Sequence, residues 1–458
     1  MSVDRSSRAR ASRIVGGRRL SGRTIAPPDK SITHRALLLA ALGEGPTRIA
    51  PLSLGADNRS TAAALAGLGV RVELDEARGE ARVTGVGGPR GLVQPSAAID
   101  CGNSGTTMRL LSGVLAASSL EVTLTGDDSL CSRPMDRLSP LVQMGAQIDG
   151  ERRAGRLYPP LTVRGGALSG GTFRLPIASA QVKSALLLAG LWADGTTTVV
   201  EPERSRDHTE RMLARLGAPI RVGEDGAISV QRLSAPWRAR ELEVAPDPSS
   251  AAFLLAAALL TGSDTVAVTS SVNPTRSGFL EALAAFGAEV ERRPLPDCGG
   301  EPMASISVRA SEGLRAATIA GATTLRAIDE IPVLAAVAAF ASGTTEIRDA
   351  GELRVKESDR LAGTAALLRA FGAEVEERAD GLLIHGDPRR LHAAQVDGGA
   401  DHRLAMTAIV LGLAVGGCTV VRGAEIMDVS FPGFEAELER LGAEVEKIGG
   451  ADLQSEVR

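Results

Sequence analysis

The feature that most constrains the fold of this chain is a five-residue pattern that occurs six times. It reads apolar, glycine, small, polar and apolar, as in Leu68-Gly69-Val70-Arg71-Val72. Each copy follows an amphipathic helical stretch and opens an alternating stretch that is typical of a strand. We expect each glycine to end its helix in the left-handed conformation and to turn the chain into the strand. The six glycines are Gly69, Gly145, Gly217, Gly287, Gly372 and Gly442, a spacing of roughly 70–85 residues.

The other half of each repeat follows a second pattern. An Ala/Leu-rich helix such as 182–191 ends near a glycine, and a Thr/Val-rich strand such as 196–200 comes next. Each repeat is therefore expected to be a βαβαββ unit. Units of this size can close into compact domains, so the pattern predicts an α/β fold with two domains of three repeats each. We place the division near 245–248, where two prolines restrict the backbone.

Charge and composition exclude several classes of function. The 458 residues carry a formal net charge of −4, and 2% of them are aromatic. Neither a nucleic-acid backbone nor a base-stacking partner is favoured by such a surface. No apolar run reaches the roughly 18 residues that a membrane span needs. The most apolar stretches, 251–261 and 331–341, are expected to be buried helices.

The cysteines and histidines give no sign of a metal site or of a disulfide framework. Cys101, Cys131, Cys298 and Cys418 form no CxxC pair, and the five histidines are scattered. A reduced cytosol is the simplest setting for such a chain. The first 23 residues are rich in Arg and Ser, and we interpret them as a disordered or frayed terminus rather than a transit peptide.

Lysine is rare in this chain, since only four of its 51 Lys and Arg residues are lysines. An ammonium is a compact charge that can share protons, whereas a guanidinium stays charged. The remaining lysines are therefore candidates for positions where arginine cannot substitute. Lys30, Lys183 and Lys356 fall inside the polar segments described next, and Lys447 is expected to be a surface charge.

Seven segments concentrate polar residues, and six of them lie at or just before the start of a predicted helix. They are 27–35, 100–109, 127–135, 179–183 with 204–210, 329–330, 354–360 and 401–406. Taken singly, each has an ordinary structural explanation. Ser179 is expected to cap a helix, and Asp207 with Glu210 is spaced like a capping box. If 354–360 begins a helix, Lys356 and Arg360 share one face of it.

The shared position of these segments is more informative than any one of them, because helix starts favour anions. If the helix starts converge, they form a cationic cleft between the two domains. Its cations would be Lys30, Arg35, Arg133, Lys356, Arg360 and Arg403. Asp329 and Glu357 are then left for proton transfer. From the residues alone, we predict a two-domain enzyme that acts on small phosphorylated anions.

The polar segments also resemble those of a known family. The matching residues are Asp29-Lys30-Ser31-Ile32-Thr33-His34-Arg35, Gly102-Asn103-Ser104-Gly105-Thr106, Arg133-Pro134-Met135, Ser179-Ala180-Gln181, Arg206-Asp207-His208-Thr209, Arg354-Val355-Lys356-Glu357-Ser358-Asp359-Arg360 and Asp401-His402-Arg403. In this order they are similar to the 5-enolpyruvylshikimate-3-phosphate synthase family of enolpyruvyl transferases. The resemblance runs from about residue 20 to the C-terminus, in order and without large insertions.

The resemblance implies an inside-out α/β fold of six βαβαββ repeats. One domain would comprise 1–27 and 247–458, the other 28–246, and the active site would lie in the cleft between them. The implied reaction transfers the enolpyruvyl group of phosphoenolpyruvate to the 5-hydroxyl of shikimate-3-phosphate and releases phosphate. It belongs to the shikimate pathway of aromatic amino-acid biosynthesis. The resemblance further implies a cytoplasmic monomer, no cofactor or metal, and inhibition by glyphosate.

The resemblance also assigns roles to individual residues. Asp329, Glu357 and Lys30 would be catalytic, with Asp329 accepting the hydroxyl proton and Glu357 protonating the methylene carbon of phosphoenolpyruvate. Shikimate-3-phosphate would contact Lys30, Ser31, Arg35, Ser179, Ala180, Gln181, Arg206, Asp329 and Lys356. Phosphoenolpyruvate would contact Lys30, Asn103, Gly105, Arg133, Gln181, Arg360 and Arg403. The chain departs from some relatives at Ala180, where they have a second Ser, and near Val429, where they have a Lys.

Two other functions remain open at this point. One is the related transfer to UDP-N-acetylglucosamine, but that family has Asn after its first Lys, where this chain has Ser31, and it uses a loop cysteine as the acid. The other is a non-catalytic repeat scaffold that binds an anionic partner. Such a scaffold has no need of paired acids at Asp329 and Glu357.

Overall fold

The computed structural model describes residues 10–399 and 401–449 of the chain. Contacts divide the chain into two compact units. Unit 1 comprises Met1–Pro27, Pro246–Pro296 and Pro302–Arg458. Unit 2 comprises Pro28–Ala245 and Asp297–Glu301.

The chain begins with two strands of unit 1, β1 (Arg10–Val15) and β2 (Gly22–Ile25). The expectation of a frayed terminus over the first 23 residues is therefore wrong for Arg10–Val15. Ala11 and Ile14 of this strand are buried, and β1 lies between two other strands of its sheet. The part of that expectation that concerns residues 1–9 lies outside the described residues.

Unit 2 follows, with three repeats in chain order. The first contains α1 (Lys30–Leu42), β3 (Glu44–Ile49), α2 (Ala56–Gly67), β4 (Arg71–Asp75) and β5 (Glu80–Val86). The second contains β6 (Ile99–Asp100), α3 (Gly105–Ala116), β7 (Glu121–Thr125), α4 (Asp128–Cys131), α5 (Ser139–Gln143), β8 (Gln147–Arg153) and β9 (Arg156–Arg164). The third contains β10 (Ser169–Arg174), α6 (Ala180–Gly190), β11 (Asp194–Val200), α7 (His208–Arg215), β12 (Ile220–Val222) and β13 (Ile228–Gln231). The short strand β14 (Glu241–Leu242) comes last.

Unit 1 then resumes with its own three repeats. The first contains α8 (Pro248–Leu260), β15 (Val266–Ser271), α9 (Gly278–Ala285), β16 (Glu289–Cys298) and β17 (Glu301–Arg309). The second contains β18 (Thr318–Ile319), α10 (Gly321–Arg326), α11 (Ile331–Phe340), β19 (Gly343–Ile347), α12 (Arg360–Ala370), β20 (Glu374–Arg378) and β21 (Gly381–Gly386). The third contains β22 (Gln395–Asp397), α13 (His402–Ala414), β23 (Cys418–Arg422), α14 (Phe434–Arg440) and β24 (Glu444–Gly449).

Six four-stranded sheets result, and they share one strand order. The orders are β14-β3-β5-β4, β6-β7-β9-β8 and β10-β11-β13-β12 in unit 2, and β2-β15-β17-β16, β18-β19-β21-β20 and β22-β23-β1-β24 in unit 1. In each sheet the first two strands are parallel and the second and third are antiparallel. The predicted α/β fold of six βαβαββ repeats is therefore confirmed.

Three of these sheets are completed by strands that lie far away in the sequence. The sheet of the first repeat in unit 2 takes β14 from the end of that unit. In unit 1, the first sheet takes β2 and the last sheet takes β1, both from the N-terminal region. All six repeat glycines have a positive φ, between +73° and +115°. The predicted left-handed helix ends are confirmed.

The first long helix of each repeat lies at the centre of its unit. In unit 1, α8, α11 and α13 pack against one another, and their side chains are almost entirely buried. Helices that are apolar on all sides belong in a protein core, which confirms the buried helices predicted at 251–261 and 331–341. In unit 2, α3 packs closely against α6. Within the part of the chain that the structure describes, no helix combines the length and apolar character that a membrane crossing requires.

Candidate active site

In unit 2, the polar side chains gather at the starts of α1, α3, α6 and α7. Helix α1 begins at Lys30 because the carboxylate of Asp29 accepts a hydrogen bond from the Ile32 amide at 2.8 Å. The Lys30 ammonium lies 3.0 Å from the Asp57 carboxylate on α2. Ser31 is half-buried, and its carbonyl accepts a hydrogen bond from Arg35 at 2.9 Å.

Arg35 is buried and ties three helices together. Its Nε donates to the Thr209 hydroxyl at 2.7 Å, and one terminal nitrogen donates to the Ser184 hydroxyl at 2.9 Å. Burial lowers the pKa of Arg35 to about 10, against the attraction of nearby carboxylates such as Glu210. Three of the five donors of Arg35 are thus used inside unit 2, and its contact with a substrate stays a prediction.

Helix α3 begins at Gly105 because the Ser104 hydroxyl accepts the Thr107 amide at 3.1 Å. Both ends of the Asn103 carboxamide, just before Ser104, make a hydrogen bond. Its carboxamide oxygen accepts from the buried Arg133 guanidinium, and its nitrogen donates to Asp127 at 2.7 Å. Asn103 and Arg133, both assigned to phosphoenolpyruvate, therefore lie in direct contact.

Helix α6 begins after Ser179, whose hydroxyl accepts the Val182 amide at 3.5 Å. This capping role was predicted and is confirmed. The Gln181 nitrogen donates to the Thr106 hydroxyl at 2.8 Å, and its oxygen accepts from Arg109 at 2.9 Å. The contact joins the starts of α3 and α6.

Arg109 is a member of this cluster that sequence reasoning did not select. It follows Gly105 by four residues, so the two lie on the same face of α3. A Cβ atom on Gly105 would be 2.7 Å from the Arg109 terminal nitrogen. The four-residue spacing was the available signal. Ala180 and Arg206, which were also predicted, are half-buried.

The predicted capping role of Asp207 is wrong. Asp207 occupies the cap position of α7, but its side chain makes no hydrogen bond to the helix amides. Its carboxylate lies instead 2.9 Å from Arg211 and 3.1 Å from Arg204. Two guanidinium groups compete for its oxygens, and its backbone is not in the extended conformation of a cap (φ −110°, ψ 21°). Glu210 does not complete a capping box, because it pairs with Lys183 at 2.8 Å.

One group of potential metal ligands occurs among the described residues. Asp207, His208 and Glu301 are all buried, with one ligand atom of each within 4.8 Å of the others. Two guanidinium groups already pair with Asp207, and His208 Nδ1 lies 2.7 Å from the Glu301 carboxylate. The positive charge of the arginines opposes a cation at this position, so the group is better explained as a buried ion-pair network.

In unit 1, Arg360 is the centre of the predicted site. It is the first residue of α12 and is 1% exposed. Its guanidinium lies 2.7 Å from Asp401, 3.0 Å from Asp329 and 2.7 Å from Glu357. Burial alone would lower the pKa of Arg360, but the three carboxylates outweigh it and raise the pKa above its ordinary value.

Asp401 is a second residue whose importance the sequence did not reveal. It caps α13 by accepting the Arg403 amide at 3.0 Å, and its other oxygen accepts from Arg360 and from the Ser358 hydroxyl. Burial opposes its charged form, but the Arg360 guanidinium prevails and lowers the pKa of Asp401 below its usual value. The capping position was visible in the sequence, whereas its contact with a residue 41 positions away was not.

Asp329 lies near the other two predicted site cations of unit 1, Lys356 and Arg403. Lys356 Nζ lies 3.8 Å from the Asp329 carboxylate and 3.0 Å from Glu352. Arg403 donates to the Asp329 carbonyl at 3.0 Å, and its other terminal nitrogen lies 3.9 Å from the Asp329 carboxylate. Together with Arg360, three cations surround one carboxylate.

The condition under which Lys356 and Arg360 would share a helix face, a helix that begins within 354–360 before Lys356, is not met. Asp359 caps α12 by accepting the Ala362 amide at 3.0 Å, so the helix starts only at Arg360. Lys356 comes before it, directly after a short 3-10 helix at Gly351–Val355. Lys356 and Arg360 still meet, but at Asp329 rather than on a shared helix face.

Comparison with solved structures first defines the class of fold. The structure resembles an enolpyruvyl transferase from Streptomyces tendae with a TM-score of 0.73 over 96% of this chain and 99% of that one, at 19% identity. This likeness shows the fold alone. The EPSP synthase of Acinetobacter baumannii has a TM-score of 0.82 and 38% identity, over 96% of this chain and all of that one.

Sequence comparison then defines the family. The profile of the family described as EPSP synthase (3-phosphoshikimate 1-carboxyvinyltransferase) matches residues 14–438. The 3-phosphoshikimate 1-carboxyvinyltransferase of Desulforudis audaxviator is 48% identical over 434 residues, which is 94% of this chain and 99% of that protein. That of Gloeobacter violaceus is 50% identical over 431 residues, 93% of this chain and 98% of that protein.

The chain belongs to the EPSP synthase family, whose members are transferases of the shikimate pathway to aromatic amino acids. The predicted family and transferase function are therefore confirmed, and the family is favoured over both alternatives, the UDP-sugar transferase and the non-catalytic scaffold. The roles of individual site residues stay predictions.

Proposed function

We propose that the protein transfers the enolpyruvyl group of phosphoenolpyruvate to the 5-hydroxyl of shikimate-3-phosphate and releases phosphate. One observation carries this proposal at the level of the residues. Arg360 lies within 3.0 Å of both Asp329 and Glu357, so the two carboxylates assigned to proton transfer lie on either side of one buried cation. The two groups are therefore close enough to each other to exchange protons with the same bound substrates.

The proposed reaction is an addition followed by an elimination. Glu357 donates a proton to the methylene carbon of phosphoenolpyruvate, which leaves an oxocarbenium-like centre at the neighbouring carbon. Asp329 accepts the proton of the 5-hydroxyl as its oxygen forms a bond to that centre. In the second half, a proton returns from the methyl group to the enzyme, the carbon–carbon double bond forms again, and the bond to phosphate breaks. Lys30 is the third group assigned to catalysis.

The cations supply the electrostatic part of the proposal. Arg360 and Arg403 in unit 1, with Lys30 and Arg133 in unit 2, bind phosphoenolpyruvate together with Asn103, Gly105 and Gln181. Shikimate-3-phosphate is bound by Lys30, Ser31, Arg35, Ser179, Ala180, Gln181, Arg206, Asp329 and Lys356. Fixed positive groups stabilise the charge that develops on the departing phosphate. The proposal therefore requires that residues of both units act on the same pair of substrates.

Isosteric substitutions test the two acid–base roles. Asp329→Asn and Glu357→Gln keep the shape of each side chain and remove its ability to exchange a proton. Each is expected to lower kcat by about 10²–10⁴-fold, the usual contribution of a positioned acid or base. Glu377→Gln is the matched control, because Glu377 pairs with Arg354 at a more exposed position. Activity of Asp329→Asn or Glu357→Gln equal to that of the control would refute the assigned role.

Glyphosate is proposed to inhibit in competition with phosphoenolpyruvate. The support is Gly105, which has no side chain and whose added Cβ would press on Arg109. Initial rates at several concentrations of both compounds test this, and absent or uncompetitive inhibition would contradict it.

The protein is also proposed to be a cytoplasmic monomer. All four cysteines carry free thiols, as a reducing compartment favours, and sedimentation measures the oligomeric state.

A further inference from the structure

Lys183 is the most deeply buried cation that the proposed reaction does not use. It lies on α6 and is 0% exposed. Its ammonium is 2.8 Å from Glu201 and 2.8 Å from Glu210, and it donates to the Ser205 carbonyl at 3.3 Å. An ammonium has three donors, and all three are matched here. A planar guanidinium with five donors cannot be matched in the same way, which explains a lysine in a chain that otherwise uses arginine.

The carboxylate partner Glu201 fixes two separate segments. Its Oε1 accepts the Ser179 amide at 2.9 Å, just before Ala180 and Gln181. The same carboxylate accepts the Ser205 amide at 3.3 Å and the Ser205 hydroxyl at 2.7 Å, just before Arg206. Lys183 and Glu201 therefore clamp together the start of α6 and the segment before α7. These segments carry four of the residues assigned to shikimate-3-phosphate.

The second partner, Glu210, extends the network to Arg35. Glu210 stands in the first turn of α7, next to Thr209, whose hydroxyl accepts from Arg35 at 2.7 Å. Lys183 therefore lies between two carboxylates, Glu201 and Glu210, and the Arg35 guanidinium is close enough to be attracted by Glu210. Loss of the Lys183 ammonium would leave the buried carboxylates of Glu201 and Glu210 without the cation that they share. Their negative charge would repel a nearby phosphate as well as loosen the segments that they hold.

We propose that Lys183 is a positioning residue for the phosphate of shikimate-3-phosphate and acts through Glu201 on Ser179 and Arg206. The inference rests on the proposed function, and it deepens that function by assigning a role to a residue that does not touch substrate. Burial of an ion pair is by itself weak evidence of stabilisation. The network is better explained by the geometry that it imposes on the two segments.

The test is a comparison of Michaelis constants for the two substrates in full-length protein. Lys183→Met is expected to raise KM for shikimate-3-phosphate at least tenfold, and to change KM for phosphoenolpyruvate and kcat by less than threefold. Glu201→Gln is the milder variant, to be used where Lys183→Met does not fold. Its side chain keeps the acceptor for Ser179 but loses the charge, and a rise of about threefold or more in the same constant alone is expected.

Glu435→Gln is the matched control for Glu201→Gln. Glu435 is 1% exposed, pairs with Arg10 at 3.0 Å and accepts from the Ser12 hydroxyl, but it lies on α14 and has no part in the site. A loss of stability without a change in either KM is expected for this variant. The inference is overturned if a folded Lys183 or Glu201 variant keeps the unaltered KM for shikimate-3-phosphate, or if both KM values rise equally. Absence of shikimate-3-phosphate-dependent phosphate release by the unaltered protein would instead refute the proposed function, and this inference with it.

Discussion

Removal of the Arg360 guanidinium should destabilise unit 1 in a way that depends on pH. In Arg360→Met the apolar chain is retained, but Asp401 loses the cation that compensates its burial. Lys356 and Arg403 still lie within 3.9 Å of Asp329, so that carboxylate keeps partners. Asp401 is 0% exposed and is therefore the group most affected.

The magnitude follows from the cost of an uncompensated buried charge. Loss of one partner of a buried ion pair costs about 3–5 kcal/mol. For a domain of this size, each kcal/mol lowers Tm by roughly 2–4 °C, so a decrease of roughly 6–20 °C is expected at pH 7. Arg354→Met is the control, because Arg354 pairs with the more exposed Asp359 and Glu377. Such pairs contribute about 0–1 kcal/mol.

The pH dependence gives the sharper result. In the unaltered protein the pKa of Asp401 is lowered, so its contribution to stability is complete above the unfolded pKa of about 3.9 and is lost as pH falls through the folded pKa. In Arg360→Met, burial without the cation raises the pKa of Asp401 instead. Stability of the variant should then fall as pH rises above about 4.

Urea unfolding followed by circular dichroism at pH 4.5 and pH 7, without substrates, measures both effects. The difference in free energy of unfolding between Arg360→Met and the unaltered protein should be larger at pH 7 than at pH 4.5. An equal difference at both pH values, or a loss no greater than that of Arg354→Met, would refute the reasoning.

Three further predictions follow from buried groups and close contacts. Burial lowers the pKa of His34 to about 3, so its NMR signals should not titrate between pH 8 and 5. Stability should rise with pH from about 3 to about 6.5, because the unfolded chain binds an extra proton in this range. Titration of the His34 signals near pH 6.5 would contradict this prediction. Burial raises the pKa of the Cys101 thiol to about 12. Iodoacetamide at pH 8 should therefore modify the exposed Cys418 and leave Cys101 unmodified, as measured by mass spectrometry. Equal labelling of the two cysteines would contradict this prediction. Gly105→Ala should raise KM for phosphoenolpyruvate severalfold, because its Cβ would lie 2.7 Å from Arg109, and an unchanged KM would show that Arg109 moves aside freely.

The repeat architecture could be predicted because it depends on local features. A glycine with positive φ after an amphipathic helix leaves a sequence signal at every copy, and Gly69 and Gly442 behave alike although they lie in different units. The pairing of β1 with β23 and of β14 with β3, each far away in the sequence, leaves no such signal. A strand of two to six residues does not specify its partner. The resemblance to a family implied that residues 1–27 join 247–458, but it gave no indication of the pairing of β14.

The contacts among the predicted site residues could not be predicted from the sequence, and the roles of these residues stay predictions. Asp207 has the spacing of a cap, yet Arg204 and Arg211 take its carboxylate. Asp401 also has the position of a cap, and it both caps its helix and binds Arg360. The arginines that compete for Asp207 lie three and four residues away in the sequence, but nothing local shows that they win over the helix amides. The contact of Asp401 with Arg360 spans 41 positions and requires the folded chain.

Phosphate release from phosphoenolpyruvate is the measurement that tests the central claim most directly. The purified protein is incubated with phosphoenolpyruvate and either shikimate-3-phosphate or UDP-N-acetylglucosamine, without added metal, and free phosphate is followed over time. We expect continuous release with shikimate-3-phosphate and none above background with the UDP-sugar. The proposed function would be contradicted if phosphate were released with the UDP-sugar but not with shikimate-3-phosphate. It would also be contradicted if neither acceptor gave phosphate release.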